Sequence, residues 1–258
     1  MKKYGGINKK YVCLMPLIYI FNEEYVKAMK LKPYATKLCM VFSLFLIFYT
    51  CFAQETKSDK LTAGADFYST YIWRGTHYGT GPSVQPGLKL STGIFMAGAW
   101  GSFDFNGYQE TDIYFTFSLP AGFSLGMTDY YYPGLQYFDY SDTTGSHAFE
   151  INLGFSGEHL SVTGNYILNK AGGAGTKGGD IYAEARYTFK ALYIFGGAGN
   201  GWHSTDNDDS SDKFTFCNLG VGVTKEIKIT ESFSIPMNCQ LIFNPDREKI
   251  YIVAGFSF

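Results

Sequence analysis

Residues 247–258 place the strongest constraint on the fold of this chain. Every second residue from 250 to 258 is apolar, ending on Phe256 and Phe258, and the residues between them form a separate face. A period of two is typical of a β-strand with one apolar face. In a membrane barrel, a terminal aromatic ring lies at the lipid–water boundary, which such rings favour. The sequence therefore predicts the closing strand of an outer-membrane β-barrel.

The composition also favours strands and tight turns. The 258 residues include 30 Gly, 21 Tyr and 23 Phe but only 8 Pro. Aromatic residues are enriched in strands, and Gly in the turns between them. After residue 53 the chain holds 21 acidic and 13 basic residues. This acidic balance excludes a nucleic-acid partner, whose phosphates require a basic surface.

The first part of the chain is expected to direct export. Residues 38–52 form an apolar run that is shorter than the roughly 20 residues of a spanning helix, and Lys30, Lys32 and Lys37 precede it. A basic segment followed by a short apolar run is typical of a cleaved signal peptide. We expect residues 1–28 to be an extension upstream of the true start, 29–53 the signal peptide, 54–60 a periplasmic lead-in, and 61–258 the barrel.

Twelve alternating segments follow, most of them close to the length of a tilted membrane-spanning strand. They are residues 61–74, 84–91, 94–104, 110–119, 123–132, 147–155, 160–168, 180–189, 192–202, 214–225, 233–243 and 247–258. Twelve is an even number, as a bacterial single-chain barrel requires. The fold class is therefore all-β, an antiparallel transmembrane barrel of about 12 strands, with 10 or 14 as alternatives.

The connections alternate in length, which predicts the orientation of the barrel. Longer connections follow the odd-numbered segments and shorter ones follow the even-numbered segments. Long extracellular loops and short periplasmic turns are typical of outer-membrane barrels. We therefore expect both termini in the periplasm.

Aromatic residues at the segment ends predict two girdles at the membrane surfaces. The outer girdle would contain Trp73, Tyr131 and Trp202, and the periplasmic girdle Phe117, Phe123, Phe155, Phe189, Phe256 and Phe258. A soluble ligand-binding barrel would show the same alternation of faces. It would not explain aromatic rings at both rims.

The polar face of each segment is expected to line the lumen. A basic side chain at mid-depth on the lipid side costs about 2–4 kcal/mol, which favours the inward assignment. The lumen-lining candidates are Asp112, Tyr114, Glu150, Asn152, Asn165, Glu184, Arg186, Asn218 and Tyr251. They could form a structural network or select a solute. Twelve strands lie between a filled barrel of eight and an open one of 16–18, so the sequence predicts a narrow pore and leaves a plugged barrel open.

No motif in the chain indicates a metal, a cofactor or a catalytic site. Cys217 and Cys239 lack metal-ligand spacing and are expected to be small apolar positions, with no support for a disulfide. The acidic loop 204–213 lacks the Gly and terminal Glu of a calcium loop, and the Gly-rich residues 169–179 predict a flexible linker. Adjacent Ser and His residues, as at Ser146 and His147, point to opposite faces of a strand. We therefore expect no enzyme; a lipid-modifying enzyme is the least favoured alternative.

Several stretches resemble the TorF family of porins. They are Tyr68–Gly75, Val84–Pro86, Gly93–Ser102, Glu110–Tyr114, Leu125–Gly126 and Tyr130–Gly134. Trp73 departs from the family, in which another aromatic is frequent at that position. The resemblance implies an outer-membrane barrel with a pore, and it brings no substrate and no catalytic residue.

The expected function is passive diffusion of small hydrophilic solutes through a narrow polar lumen. The alternative is a non-conducting structural or adhesive barrel that acts through its extracellular loops. The expected surroundings are outer-membrane lipid and lipopolysaccharide. The barrel assembly machinery would read Phe258, Phe256 and Tyr251 as its signal. The solute itself is not identified, and no cofactor is expected.

Overall fold

The computed structural model describes residues 60–205 and 213–258. The predicted upstream extension, signal peptide and most of the lead-in lie outside the described residues, as do residues 206–212 of the acidic loop. Within the two described ranges, no helix has the length and apolarity needed to cross a membrane.

The described chain forms fourteen strands, of which twelve belong to one sheet. In the first half of the chain they are β1 (Lys60–Tyr68), β2 (Tyr71–Trp73), β3 (Thr76–Tyr78), β4 (Ser83–Thr92), β5 (Phe95–Asp104), β6 (Gln109–Ser118) and β7 (Phe123–Tyr131). In the second half they are β8 (His147–Ser156), β9 (Leu160–Ile167), β10 (Ile181–Phe189), β11 (Leu192–Gly199), β12 (Thr215–Lys228), β13 (Ser234–Asn244) and β14 (Lys249–Ser257).

The twelve strands close into an antiparallel barrel, which confirms the predicted fold class. The order around the barrel is β1-β14-β13-β12-β11-β10-β9-β8-β7-β6-β5-β4, and β1 pairs with β4 along the whole length of β1. The remaining two strands, β2 and β3, pair only with each other. The first predicted segment, 61–74, was therefore wrong in its second half, because β1 ends at Tyr68 and the chain then enters a separate hairpin.

Side chains alternate between the inside and the outside of the barrel along each strand. On β10 the polar residues Tyr182, Glu184 and Arg186 are more buried than Ile181, Ala183 and the other residues between them. Consecutive side chains of a strand point to opposite faces of the sheet, so the polar set shares the inner face. The alternation that predicts the strands thus also separates a polar interior from an apolar exterior.

The two ends of the barrel differ in their connections. One end holds Lys60, where the first described range begins, Phe258 and short turns, including residues 93–94 and 190–191 and a 3-10 turn at Pro120–Gly122. The other end holds longer loops, including 132–146 and 168–180, and a 3-10 turn at Gly201–His203 after β11. We call these the short-turn end and the long-loop end.

Two of the long loops pack against each other, which corrects the prediction of a flexible linker. The backbone N–H of Gly172 donates to Asp142, and that of Ala174 donates to Gly145. A Cβ added at Gly172 would lie only 2.1 Å from the carbonyl oxygen of Thr143. The glycines of this loop therefore allow close backbone contact between the two loops.

The barrel closes along a short seam between β1 and β14. Asp66–Tyr68 pair with residues 255–257, and the backbone groups of Phe258 and Ala65 exchange two hydrogen bonds of 3.0 and 3.2 Å. Beyond a bond from Ser69 to Ala254, the described residues show no pairing of β1 with residues 249–253. The chain that would continue the seam turns inward as the β2–β3 hairpin.

The seam generates a prediction for Phe258. Its ring lies 5.9 Å from the ring of Phe67 and 5.5 Å from that of Phe256. Deleting Phe258 removes these contacts and two hydrogen bonds from the shortest junction in the barrel. We expect a clear loss of folded protein, measured as the heat-modifiable band on a gel. Phe189→Ala, which removes an exposed ring away from the seam, is the control, and equal folding of both variants would contradict this role.

Candidate functional site: the lumen and its hairpin

The β2–β3 hairpin crosses the inside of the barrel. Its tip consists of Arg74 and Gly75, whose φ angles of 50° and 79° are both positive, as a two-residue type I′ turn requires. The Arg74 side chain contacts Glu150 on β8 and Tyr182 on β10. Each of these strands is the fifth from β1 around the barrel, one in each direction. The hairpin thus starts at β1 and ends on the opposite wall.

Arg74 forms a two-bond ion pair with Glu150. Its Nη1 and Nη2 atoms donate to the two carboxylate oxygens at 2.6 and 2.8 Å. The guanidinium also lies 4.4 Å from the ring of Trp73 and 4.6 Å from that of Tyr182. Planar two-bond pairs and stacking on aromatic rings are the interactions for which arginine is best suited. These contacts fix the tip of the hairpin to the far wall.

Glu150 has further donors besides Arg74. The Tyr130 hydroxyl and the Asn152 amide donate to its Oε1 atom at 3.0 and 2.6 Å, and Glu150 itself is fully buried. Asn152 also donates to Asn165 at 3.0 Å. A buried carboxylate is stable only when paired and hydrogen-bonded, and this network supplies both.

His203 completes the surroundings of Arg74. Its Nε2 atom lies 3.4 Å from Nη1 of Arg74. Burial and the neighbouring arginine both lower the pKa of His203 well below its usual value, so the ring is neutral at physiological pH and Nε2 accepts from Arg74. His203 therefore adds no second positive charge beside Arg74.

The tip also fits closely against β12 and β13. The side-chain amide of Asn244 donates to the carbonyl oxygen of Gly75 at 2.9 Å. A Cβ at Gly75 would lie only 1.8 Å from the carbonyl oxygen of Cys217. Glycine is thus required here both by its φ angle and by the close approach of the wall.

The two faces of the hairpin pack against different parts of the wall. Tyr71 lies 5.7 Å from the ring of Trp100 on β5, and Trp73 lies 5.5 Å from the ring of Tyr130 on β7. On the other face, Ile72 packs against an interior cluster formed by Tyr193, Phe195, Ile242 and Val253. The hairpin therefore occupies the cross-section of the lumen near the long-loop end.

A second polar network lies on β10 and β12. The Tyr182 hydroxyl donates to Glu184 at 2.6 Å, and the Asn218 amide donates to both of these groups at 3.0 and 2.9 Å. Arg186 lies 3.7 Å from Glu184 and 4.7 Å from the ring centre of Tyr193. This network places charged groups of both signs on the inner wall.

The structure places all nine lumen candidates on the inner face. Eight of them belong to the polar networks described above or lie near the hairpin: Asp112, Glu150, Asn152, Asn165, Glu184, Arg186, Asn218 and Tyr251. The ring of Tyr251 lies 6.0 Å from the ring of His77. Tyr114 lies nearer the short-turn end, beside Gly98.

The aromatic residues predicted for the girdles divide into two groups. The six phenylalanines lie on outward faces near the short-turn end, and Tyr131 lies on the outer face, stacked on His147. The prediction that Trp73 and Trp202 belong to the outer girdle is wrong, because neither ring faces outward. Their rings contact each other at 5.6 Å inside the long-loop end, where Trp202 is buried.

Sequence reasoning missed the residues that hold the hairpin. Arg74, Tyr182, Trp202 and His203 come together only in the folded chain. One signal was available, since residues 61–74 are longer than a spanning strand and end on an Arg-Gly pair suited to a turn. Nothing in the sequence shows that this turn lies inside the barrel.

Cavities lie in two parts of the lumen. Near the long-loop end, a cavity of about 460 Å³ is lined by polar and charged residues that include His77, Arg247, Lys249 and Tyr251. Towards the short-turn end, a cavity of about 260 Å³ is lined by residues that include Asp66, Gln85, Lys89 and Tyr114. Cavities thus lie towards both ends of the lumen.

The histidines, serines and cysteines of the described ranges have the following partners. His147 lies against Asp129 at 2.9 Å and against the Tyr137 carbonyl, while the hydroxyl of Ser146 donates to backbone oxygens. In the described ranges, no serine hydroxyl is hydrogen-bonded to a histidine ring. Cys217 is buried, Cys239 is exposed on the outer face, and both are free thiols.

The outer surface defines the class of protein. Exposed large apolar side chains cover the outward faces of the strands, among them Leu88, Leu90, Ile113, Phe115, Leu125, Leu153, Val162, Ile194, Val221, Leu241, Ile250 and Ile252. A closed barrel with an apolar exterior and a polar interior satisfies its backbone internally and tolerates lipid. The chain is an outer-membrane-type β-barrel.

A family model covers most of the chain and assigns it no activity. The chain belongs to the family described as "Bacterial protein of unknown function (Gcw_chp)", whose model matches residues 53–236. This match does not carry the TorF name, so that resemblance stays a hypothesis. No curated protein matches the chain.

Three solved structures match the chain at low sequence identity and low TM-score. A substituted form of the Rh. blastica porin is 12% identical, covers 78% of this chain and 99% of its own, and has a TM-score of 0.38. Outer membrane phospholipase A from Escherichia coli is 10% identical, with 80% and 90% covered and a TM-score of 0.37. A structure titled "Asymmetric conductivity of engineered proteins" is 11% identical, with 78% and 99% covered and a TM-score of 0.36.

The contacts of the hairpin tip generate a second prediction. Arg74→Ala removes the ion pair and leaves Glu150 buried without its cation, a change that costs about 3–5 kcal/mol in buried pairs. We expect the tip to leave the wall and uncover Cys217. The measurement is the rate of labelling of Cys217 by a hydrophilic maleimide in a Cys239→Ser background.

Arg186→Ala is the matched control for this experiment. It also removes an arginine from the inner wall, yet Arg186 stacks on Tyr193 and Phe195 and not on the hairpin tip. Labelling should therefore stay slow in this variant. Equal labelling rates for Arg74→Ala and the parent protein would show that Arg74 does not hold the hairpin.

Proposed function

We propose that this chain is an outer-membrane channel for small hydrophilic solutes and that the β2–β3 hairpin controls passage. The inner wall carries polar and charged side chains, among them those of β8, β9, β10 and β12, and cavities lie towards both ends of the lumen. A polar lumen surrounded by an apolar exterior is typical of outer-membrane channels.

The proposed setting is the outer membrane, reached after removal of a signal peptide. The short-turn end with both termini would face the periplasm, and the long-loop end would face the exterior. Membrane lipid and lipopolysaccharide would surround the apolar outer faces. The barrel assembly machinery would recognise the last strand with Phe256 and Phe258. No catalytic role is proposed.

The proposal that the hairpin controls passage rests on one observation. β2 and β3 form a two-stranded sheet of their own and share no strand pairing with the barrel wall. Movement of the hairpin would therefore break side-chain contacts, chiefly those of Arg74, but no hydrogen bond of the barrel ladder. The wall can remain closed while the lumen opens.

Conductance of the purified protein in planar bilayers tests the proposal. We expect small, infrequent channel events for the parent protein, because the hairpin occupies the lumen. Arg74→Ala should raise the open probability several-fold, since it removes the main link between the hairpin and β8. Replacing residues 71–78 by a short Gly-Ser linker should give larger and more persistent events.

Arg186→Ala is the control and should conduct like the parent protein in open probability, because Arg186 contacts Glu184, Tyr193 and Phe195 of the barrel wall and not the Arg74–Glu150 pair. If neither the Arg74→Ala variant nor the linker variant conducts, although both are folded by gel mobility, the channel proposal is wrong.

A non-conducting barrel that acts through its loops is the second candidate. The observation that favours it is the packing of loops 132–146 and 168–180, which buries Ala171, Ala174 and Trp202 above the hairpin. Such a rigid cap would present a fixed surface to a partner. Absence of conductance in the linker variant would favour this candidate, whereas conductance would count against it.

A further inference from the structure

The inner wall holds two buried carboxylates that have no basic partner. Glu110 and Asp112 are two residues apart on β6, so both side chains lie on the inner face. They are only 2% and 6% exposed. Among the described residues, neither forms an ion pair, and the nearest hairpin arginine, Arg74, is bound to Glu150.

The hydrogen bonds of these two carboxylates are incomplete. The Tyr108 hydroxyl donates to the Oε2 atom of Glu110 at 2.6 Å, and the Tyr71 hydroxyl and the backbone N–H of Tyr131 are further donors to Glu110 and to Asp112, respectively. The Oδ1 atom of Asp112 is buried and has no hydrogen-bond partner. Buried carboxylates with unfilled acceptor positions call for a cation, a proton or an ordered water.

A neighbouring hydroxyl provides an independent observation. Ser102 is fully buried on β5, and its Oγ atom has no hydrogen-bond partner. It is the direct cross-strand partner of Glu110, so the two side chains lie side by side on the inner face. The unpartnered hydroxyl therefore lies beside the carboxylate pair and adds an oxygen ligand.

The chemistry of these groups selects the ligand. All of the available atoms are oxygens, which favour hard cations such as Ca²⁺ over softer transition metals. Two carboxylates balance the charge of one divalent ion. In the described ranges, no three or more His, Cys, Asp or Glu residues form a larger metal-binding group, so hydroxyls and water would complete the coordination.

We propose that Glu110, Asp112 and Ser102 bind one Ca²⁺ ion on the inner wall of the barrel. The site lies beside the hairpin, because the ring of Tyr108 contacts the rings of Tyr71 and Tyr78 at 6.1 and 5.9 Å. A bound ion would neutralise the negative charges of Glu110 and Asp112. It would also keep the part of the wall around Tyr108 in contact with the hairpin. The site does not depend on whether the lumen conducts.

Thermal unfolding of the refolded protein in detergent tests the site. After chelation at pH 7.5, saturating CaCl2 should raise the Tm of the parent protein by about 5 °C, because a ligand that binds only the folded state stabilises it. Glu110→Gln and Asp112→Asn should each abolish most of this rise. NaCl at matched ionic strength should produce no comparable shift.

Two control variants separate this site from other acidic groups. Glu226→Gln changes an exposed acid on β12 and should leave the calcium-dependent rise unchanged. A second control removes the negative charges of the acidic loop by replacing four residues with Asn: Asp206, Asp208, Asp209 and Asp212. This variant should also retain the calcium-dependent rise in Tm. Equilibrium dialysis with ⁴⁵Ca should give one bound ion per chain in both controls.

Three results would overturn the proposal. The first is a Tm of the parent protein that is insensitive to CaCl2. The second is a Tm that rises between pH 8 and pH 5 with or without Ca²⁺, which would show that the carboxylates share a proton. If the Glu110→Gln and Asp112→Asn variants fail to fold, Ser102→Ala replaces them as the test. This variant should raise the half-saturating Ca²⁺ concentration several-fold, and an unchanged value is the third contradicting result.

Discussion

The need to satisfy every backbone hydrogen bond within the chain controls this structure. In lipid no water is available to the peptide groups, so the strands must close on themselves. Twelve antiparallel strands achieve this, and the weakest part of the closure is the seam between β1 and β14. The seam is short because the chain after Tyr68 leaves the wall. The same departure that shortens the seam supplies the hairpin that fills the lumen.

One charged contact fixes the hairpin to the wall of the barrel. Arg74 and Glu150 join the hairpin to the wall, while Tyr130, Asn152, Tyr182 and His203 surround the pair. A pair of this kind stabilises only when all of its members are present, since either charge left alone in the interior is costly. The ion pair is therefore well suited to hold the hairpin in one position. Loss of the pair is expected to release the hairpin from the wall and not merely to shift it.

The strands could be predicted from the sequence, and the contents of the lumen could not. Ile181 to Phe189 alternates so regularly that its inner and outer faces follow directly from its residue types. Trp73 and Trp202 follow the same rule of aromatic placement as Phe189, yet they lie inside the barrel. Local patterns record which face of a strand a residue occupies. They do not record that a strand has ended and that the chain has turned inward.

The sequence by itself determined the class of this protein, because alternation with a period of two and aromatic strand ends are local consequences of crossing a bilayer. It also determined which polar residues face inward. Only the tertiary structure decided what occupies the lumen. The contact between Arg74 and Glu150 joins residues 76 positions apart, and the pairing of Ser102 with Glu110 depends on strand register. Such contacts depend on closure of the whole barrel, which no single segment encodes.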